Sequence, residues 1–201
     1  MGIGYADDYV KGMCFGLNFL DVLRNCIDRI RNNTPEALNA MGRWFGDTSA
    51  PFKSELLRDL NKFRNICNMQ SVVIGFENLA ARDSTTNASA WPGSIPSFIP
   101  GAVTQAVPVT MDLAFGSLPK YLPLAAGVID ASAYSQSKLE TALHELSHAI
   151  LGTKDKSLLN GHTAYGAQQA AQLAIERPDR AKKNAENWGI FIEALGYHNT
   201  H

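Results

Sequence analysis

The sequence predicts an α+β domain, mainly helical, with a small β-sheet beside one long helix that carries two histidines. Three observations lead there. Apolar residues recur at helical spacing through the first and last thirds of the chain, and two short β-branched runs lie between them. The length of 201 residues, 45% of them apolar, suits one well-buried core without staples. The expected organisation is a single domain over 1–201, with a helical part at 1–70, strands and a long loop at 71–136, and the histidine-bearing and C-terminal helices at 137–201.

From Val10 to Arg31 the stripe of Met13, Leu17, Leu20, Leu23 and Ile27 predicts a first amphipathic helix. Thr34-Pro35-Glu36 reads as an N-cap, a proline in the first turn and an acidic start, so a second helix should follow and end near Gly46. Phe52, Leu56, Leu60 and Phe63 predict a third from about Ala50 to Ile66. Ser71 to Phe76 and Val107 to Phe115 read as strands, with Pro108 at a strand start or edge. The segment Asp83 to Gly101, rich in Ser, Thr, Asn, Pro and Gly yet holding Trp91 and Phe98, reads as an ordered surface loop. Ser137 to Leu151 shows Leu139, Leu143, Leu146 and Ile150 at helical spacing before Gly152, a C-cap candidate. A further helix is expected over Ala167 to Ile175, and another opening at Pro178 and running to Gly196.

Composition excludes several classes. A formal net charge of -1 gives no basic field for a phosphate backbone, so nucleic acid is not an expected partner. No apolar run approaches the ~20 residues that span a bilayer. The N-terminal residues Met1 to Asp8 show no basic region followed by an apolar one, so export by a Sec-type signal is not expected. The three cysteines, Cys14, Cys26 and Cys67, form no Cys-x-x-Cys pair and read as small buried hydrophobes.

The chemistry lies in His144-Glu145-Leu146-Ser147-His148. Residues four apart share a helix face, so His144 and His148 can offer two imidazole nitrogens to one tetrahedral ion. Glu145, beside the first ligand, can then take a proton from water and return it to a leaving amine. Two surface histidines on an ordinary helix would be the plainer account. This spacing, however, arises by chance in roughly one chain of this length in a few hundred. A catalytic zinc needs a third protein ligand, and two residues compete for the place. Asp155 in Gly152-Thr-Lys-Asp follows the helix directly, and His162 lies in the loop beyond it. As plain residues, Asp155 is a common turn former and His162 a common loop residue.

His144-Glu-Leu-Ser-His, Gly152-Thr-Lys-Asp, Tyr165-Gly166, Pro178-Asp-Arg-Ala and Asn184-Ala-Glu-Asn-Trp-Gly-Ile-Phe191, with Arg43-Trp-Phe-Gly46 upstream, resemble in order the deuterolysin and peptidyl-Lys metalloendopeptidase family, the aspzincins. The resemblance implies a zincin-like metallopeptidase domain with Zn2+ as cofactor and Asp155 as third ligand. It also implies Tyr165 as hydrogen-bond donor to the developing oxyanion. Two departures stand out. Lys156 to Ala164 look like an insertion between the Asp and the Tyr, and they leave His162 three residues before Tyr165. The cysteines of secreted fungal members have no counterpart around Val107 to Phe115. In lysine-specific members an Asp and a Glu on the last long helix trap the substrate ammonium. Here these positions match Glu186, read as a substrate-binding carboxylate, and Gly189.

The expected activity is a zinc endopeptidase acting on a protein or peptide substrate. The missing signal and missing cysteine brace lead to the expectation of a bacterial toxin or effector domain, delivered by a specialised secretion system and opposed by a cognate inhibitor or immunity protein. A zinc hydrolase of cell-wall peptides is the alternative with the same chemistry. A catalytically silent binding module is the alternative from another class, and the presence of Glu145 speaks against it.

Overall fold

The computed structural model describes residues 16–68, 115–123 and 136–198 in full, and the backbone alone at 4–5, 72–76, 88–90, 107–111, 113–114, 124–125 and 128–129. Helix α1 spans Phe19–Arg31 and buries Phe19, Val22, Leu23, Cys26, Ile27 and Ile30, so that Leu23 and Ile27 of the expected stripe face the core while Leu20 stands at its edge. It begins at Phe19 and not at Val10. Gly16 at φ 74° and Asn18 at φ 49° both take left-handed backbone, which ends any helical extension there; Val10 to Phe15 lie outside the described residues.

Helix α2 spans Pro35–Phe45, with the Thr34 hydroxyl accepting from the Ala37 amide at 3.2 Å. Its C-cap, Gly46, has φ 66°, and a Cβ there would stand 2.2 Å from the Ala174 carbonyl oxygen. Two requirements, handedness and close approach, therefore fall on one glycine. Helix α3, Ala50–Asn68, buries Phe52, Leu56, Leu60 and Phe63 as its spacing predicts. Between α2 and α3, Asp47 accepts from Lys182 at 2.8 Å and from the Ser49 amide at 2.7 Å. These bonds, Lys182 first, hold the Asp47 carboxyl down at about 2 and tie this turn to the C-terminal third of the chain.

Strands β1 (Gly4–Tyr5), β2 (Val72–Phe76), β3 (Ala88–Ala90) and β4 (Val107–Met111) pair in the order β1-β2-β4-β3, with β3 antiparallel to β4 and the other pairs parallel. The run expected to be one strand to Phe115 stops at Met111, and α4, Leu113–Ser117, turns Phe115 into the core. Strand β3 falls inside the segment expected to be loop, while Trp91 and Phe98 lie outside the described residues. A two-stranded ribbon, β5 (Leu124–Ala125) with β6 (Val128–Ile129), precedes the histidine helix.

That helix, α5, spans Lys138–Leu151, and every residue from Leu139 to Ile150 is buried. The Ser137 hydroxyl caps its start by accepting from the Glu140 amide at 2.9 Å, and Gly152 at φ 70° ends it. A helix apolar on only one side would not survive such burial. Its polar groups must therefore be partnered, and the partners define the site below. Helices α6 (Gly166–Glu176), α7 (Pro178–Ala181) and α8 (Ala185–Gly196) follow. The expected single helix from Pro178 to Gly196 is thus two. At Asn184 the backbone turns extended, and its side chain serves the loop before α6 as well as the first turn of α8: it donates to the Ala164 carbonyl and to the Asn187 side chain, and accepts from the Lys156 amide at 2.7 Å. α8 packs along α5 and also touches α1 and α2, so it links the histidine helix to the N-terminal core. Among the described residues the molecule is mostly helical, Cys26 and Cys67 are free and buried, and no helix is long and apolar enough to cross a membrane.

Candidate active site

The left-handed turn at Gly152 throws the chain back along α5, and this reversal makes the site local. It brings the Thr153 carbonyl to His148 Nδ1 at 2.8 Å, while the Thr153 hydroxyl meets Ser147 at 2.7 Å. Two residues further, the Asp155 carboxylate lies 3.2 Å from His144 Nε2 and 3.4 Å from His148 Nε2. The two Nε2 atoms are themselves 3.2 Å apart. A carbonyl only accepts, so His148 Nδ1 carries the hydrogen and Nε2 the lone pair. His144 Nδ1 faces the Glu186 carboxylate at 2.9 Å, with the same consequence.

Two lone pairs and a carboxylate oxygen therefore converge on one point. They would repel unless positive charge stands between them, either as protons that let the ring nitrogens donate to Asp155 or as a metal ion that takes the lone pairs. Ligands about 2.0–2.1 Å from a tetrahedral zinc stand about 3.3 Å from one another, which matches all three edges of this triangle. His144, His148 and Asp155 thus fit the ion, and the electrostatics agree. Burial opposes a charged ring at His144, yet the Asp155 and Glu186 carboxylates outweigh it and raise its pKa well above the ordinary range. Burial would lift Asp155 too, but hydrogen bonds from the two histidines hold its carboxyl far below the carboxylate range. A positive charge is what this pocket favours.

A second cluster, Glu140, His144 and Glu186, shares the other nitrogen of His144 but is buried on all sides. It lacks the open position that a catalytic ion needs. Its carboxylates are supports instead. Glu186 bridges His144 Nδ1 and the Gly166 amide, the latter at 2.6 Å, so one side chain from α8 fixes both a candidate ligand and the start of α6. Glu140 lies 3.9 Å from the same ring nitrogen, and its Oε1 has no hydrogen-bond partner among the described residues. Burial first, and then Glu186, raise the Glu140 carboxyl well above the ordinary range.

Glu186 is therefore not the substrate-facing carboxylate expected from sequence. It is 1% exposed and both its oxygens are engaged. Gly189 is no trap position either. A Cβ there would stand 2.8 Å from the Glu140 carbonyl and 3.2 Å from the His144 amide, inside the crossing of α8 over α5. Replacing Glu186 with Gln should weaken zinc affinity by roughly 10–100-fold, as loss of a ligand's supporting partner does, with the helical content unchanged. Zinc titration together with circular dichroism checks this, and unchanged affinity would deny Glu186 the supporting role.

The remaining candidates sit around this point. Glu145 is buried, 4.0 Å from His144 Nε2, and burial raises its carboxyl towards the neutral form. Tyr165 stands half-buried at the N-cap position of α6, with its ring 6.2 Å from that of His144 and its hydroxyl within electrostatic reach of Asp155. Burial, then the Asp155 charge, push the phenol upward, so it stays a donor. The residues between Asp155 and Tyr165 close on themselves: Ala164 donates to the Lys156 carbonyl at 2.7 Å, Leu158 to the His162 carbonyl at 2.9 Å, and Leu158 is buried. The extra loop is a hairpin that returns Tyr165 beside Asp155. His162 rides exposed near its tip and belongs to no ligand group among the described residues. Glu140 and Glu193 escaped the sequence reading, although each carried a signal. Glu140 stands four before His144, and Glu193 seven after Glu186 on a helix otherwise almost wholly apolar.

Residues 119–193 match the model of the aspzincin family, described as lysine-specific metallo-endopeptidase. No curated protein matches the chain. Among solved structures, a zinc peptidase from Grifola frondosa shares the fold with a TM-score of 0.65 at 20% identity, over 94% of this chain and 96% of that one. The resemblance read from the sequence is upheld, and every motif that carried it after Lys138 falls within the matched segment.

Proposed function

We propose, from the aspzincin match of residues 119–193, that this chain is a zinc-dependent endopeptidase whose ion is held by His144, His148 and Asp155. The observation that carries the reading is the triangle of two Nε2 atoms and one carboxylate oxygen with edges of 3.2, 3.2 and 3.4 Å. When bound, zinc supplies Lewis acidity, polarising the scissile carbonyl and making water acidic enough to lose a proton near pH ~7.

The chain supplies the rest. Glu145 takes the proton from the attacking water and passes it to the leaving amine, and its raised carboxyl suits a group that must hold that proton in between. The Tyr165 hydroxyl, kept protonated beside Asp155, donates to the oxygen that gains charge in the tetrahedral stage. Glu186 keeps His144 presenting Nε2, and the Thr153 carbonyl does the same for His148. The test is metal analysis of the purified chain with cleavage-site profiling on a denatured proteome. About one zinc per chain and new internal peptide termini are expected. A chain loaded with zinc that leaves proteins intact but opens cell-wall peptides would move the reading to the alternative substrate class.

A further inference from the structure

The short parallel bridge that anchors the loop after α5 also gathers charge. Lys154 pairs with Asn184 through Lys154 N to Lys183 O at 3.0 Å and Ala185 N to Lys154 O at 3.3 Å, while the Lys156 amide bonds Asn184. Arg180 reaches the same loop by donating to the Ser157 carbonyl at 3.2 Å. Four cations from two segments therefore meet beside Asp155, and Lys154 and Lys183 are exposed. Among the described residues none of the four forms an ion pair, although the chain as a whole carries a net charge of -1. Lys154, Arg180 and Lys183 all lie within electrostatic range of Lys156. Gathering like charges costs stability unless something outside the fold balances them.

We infer that Lys154, Lys156, Arg180 and Lys183 form a docking patch for an acidic stretch of polypeptide beside the metal centre, so that this peptidase favours acidic substrates. The inference rests on the endopeptidase reading for its substrate class. Two further observations point the same way. Neither Glu186 nor Gly189 can present a carboxylate to a lysine, so nothing at those positions offsets the cations. A peptide is favoured over nucleic acid because Trp188, whose indole donates to the Lys182 carbonyl at 2.9 Å, is buried and offers no face on which a base could stack.

Binding is read first, on the zinc-loaded Glu145→Gln chain, with a labelled glutamate-rich peptide and a twin carrying serine at each glutamate. The glutamate peptide should bind about tenfold tighter at low salt, lose that margin as salt is raised, and lose it also in the Lys154→Glu, Lys183→Glu double variant. Equal binding of the twins, or a margin that survives the reversal in a chain that melts normally, overturns the patch. Should the double variant fail to fold, the salt titration of the unreversed chain decides alone. Binding of oligodeoxythymidylate as tight as that of the glutamate peptide overturns the choice of polypeptide. Turnover separates the two readings: a zinc-loaded active chain that cuts both twins at equal kcat/KM keeps the endopeptidase and loses the patch. Cleavage of neither, with the binding margin intact, does the reverse.

Discussion

Glu145→Gln should keep its zinc and lose kcat by on the order of a thousandfold. The amide has nearly the shape of the carboxylate and sits in the same buried place, 4.0 Å from His144 Nε2, so the ligand triangle has no reason to move. What disappears is the ability to accept a proton, and general-base catalysis contributes about 10²–10⁴-fold. Zinc content and turnover measured on the same sample check both halves. A chain that retains activity would need another base. If the protein acts as a toxin or effector, the same variant should also fail to arrest growth where the unaltered chain does.

The second large effect separates Asp155 from His162. Asp155→Ala should weaken zinc binding by on the order of a hundred- to a thousandfold, since about 10–16 kcal/mol spread over four ligands is about 2.5–4 kcal/mol for each. His162→Ala should leave zinc in place and change turnover only slightly, because the residue is exposed on a hairpin closed by its own backbone bonds. Paired zinc titrations of the two variants are the measurement. The reverse pattern would mean that the hairpin unfolds to deliver its histidine and that the observed triangle is not the working site.

These outcomes bear on how much the sequence disclosed. Thr34-Pro35 with Gly46, and Ser137 with Gly152, marked helix ends that the structure places at the same residues, because caps act within a few residues of themselves. The grouping of His144, His148 and Asp155 was also within local reach, since Gly152 folds the chain back onto the helix it ends, although the residues alone left His162 in competition with Asp155. Long-range causes were hidden. The break before α8 exists because the Asn184 side chain serves Ala164, Asn187 and Lys156, and no periodicity reports such partners. Glu186 was read as a substrate-binding carboxylate because its partner, His144, lies 42 positions away and leaves no local trace. Glu193 was passed over for a similar reason: it is fully buried among Leu122, Ser137 and His198, where it accepts from the hydroxyl that caps α5. In each case a polar residue on an apolar helix face was the visible trace of a distant contact.

The tight crossing at Gly189 also sets the routes open to change in this chain. Adding a carboxylate at that position would be the shortest mutational path to a lysine trap, yet even a methyl group there meets the backbone of α5 next to His144. Any such mutant must first push apart the two helices whose closeness lets Glu186 reach the histidine. A new preference would then come at the expense of the metal. Selection, natural or in the laboratory, would have to retune specificity from the exposed rim, where side chains can be exchanged freely, and leave this crossing as it is.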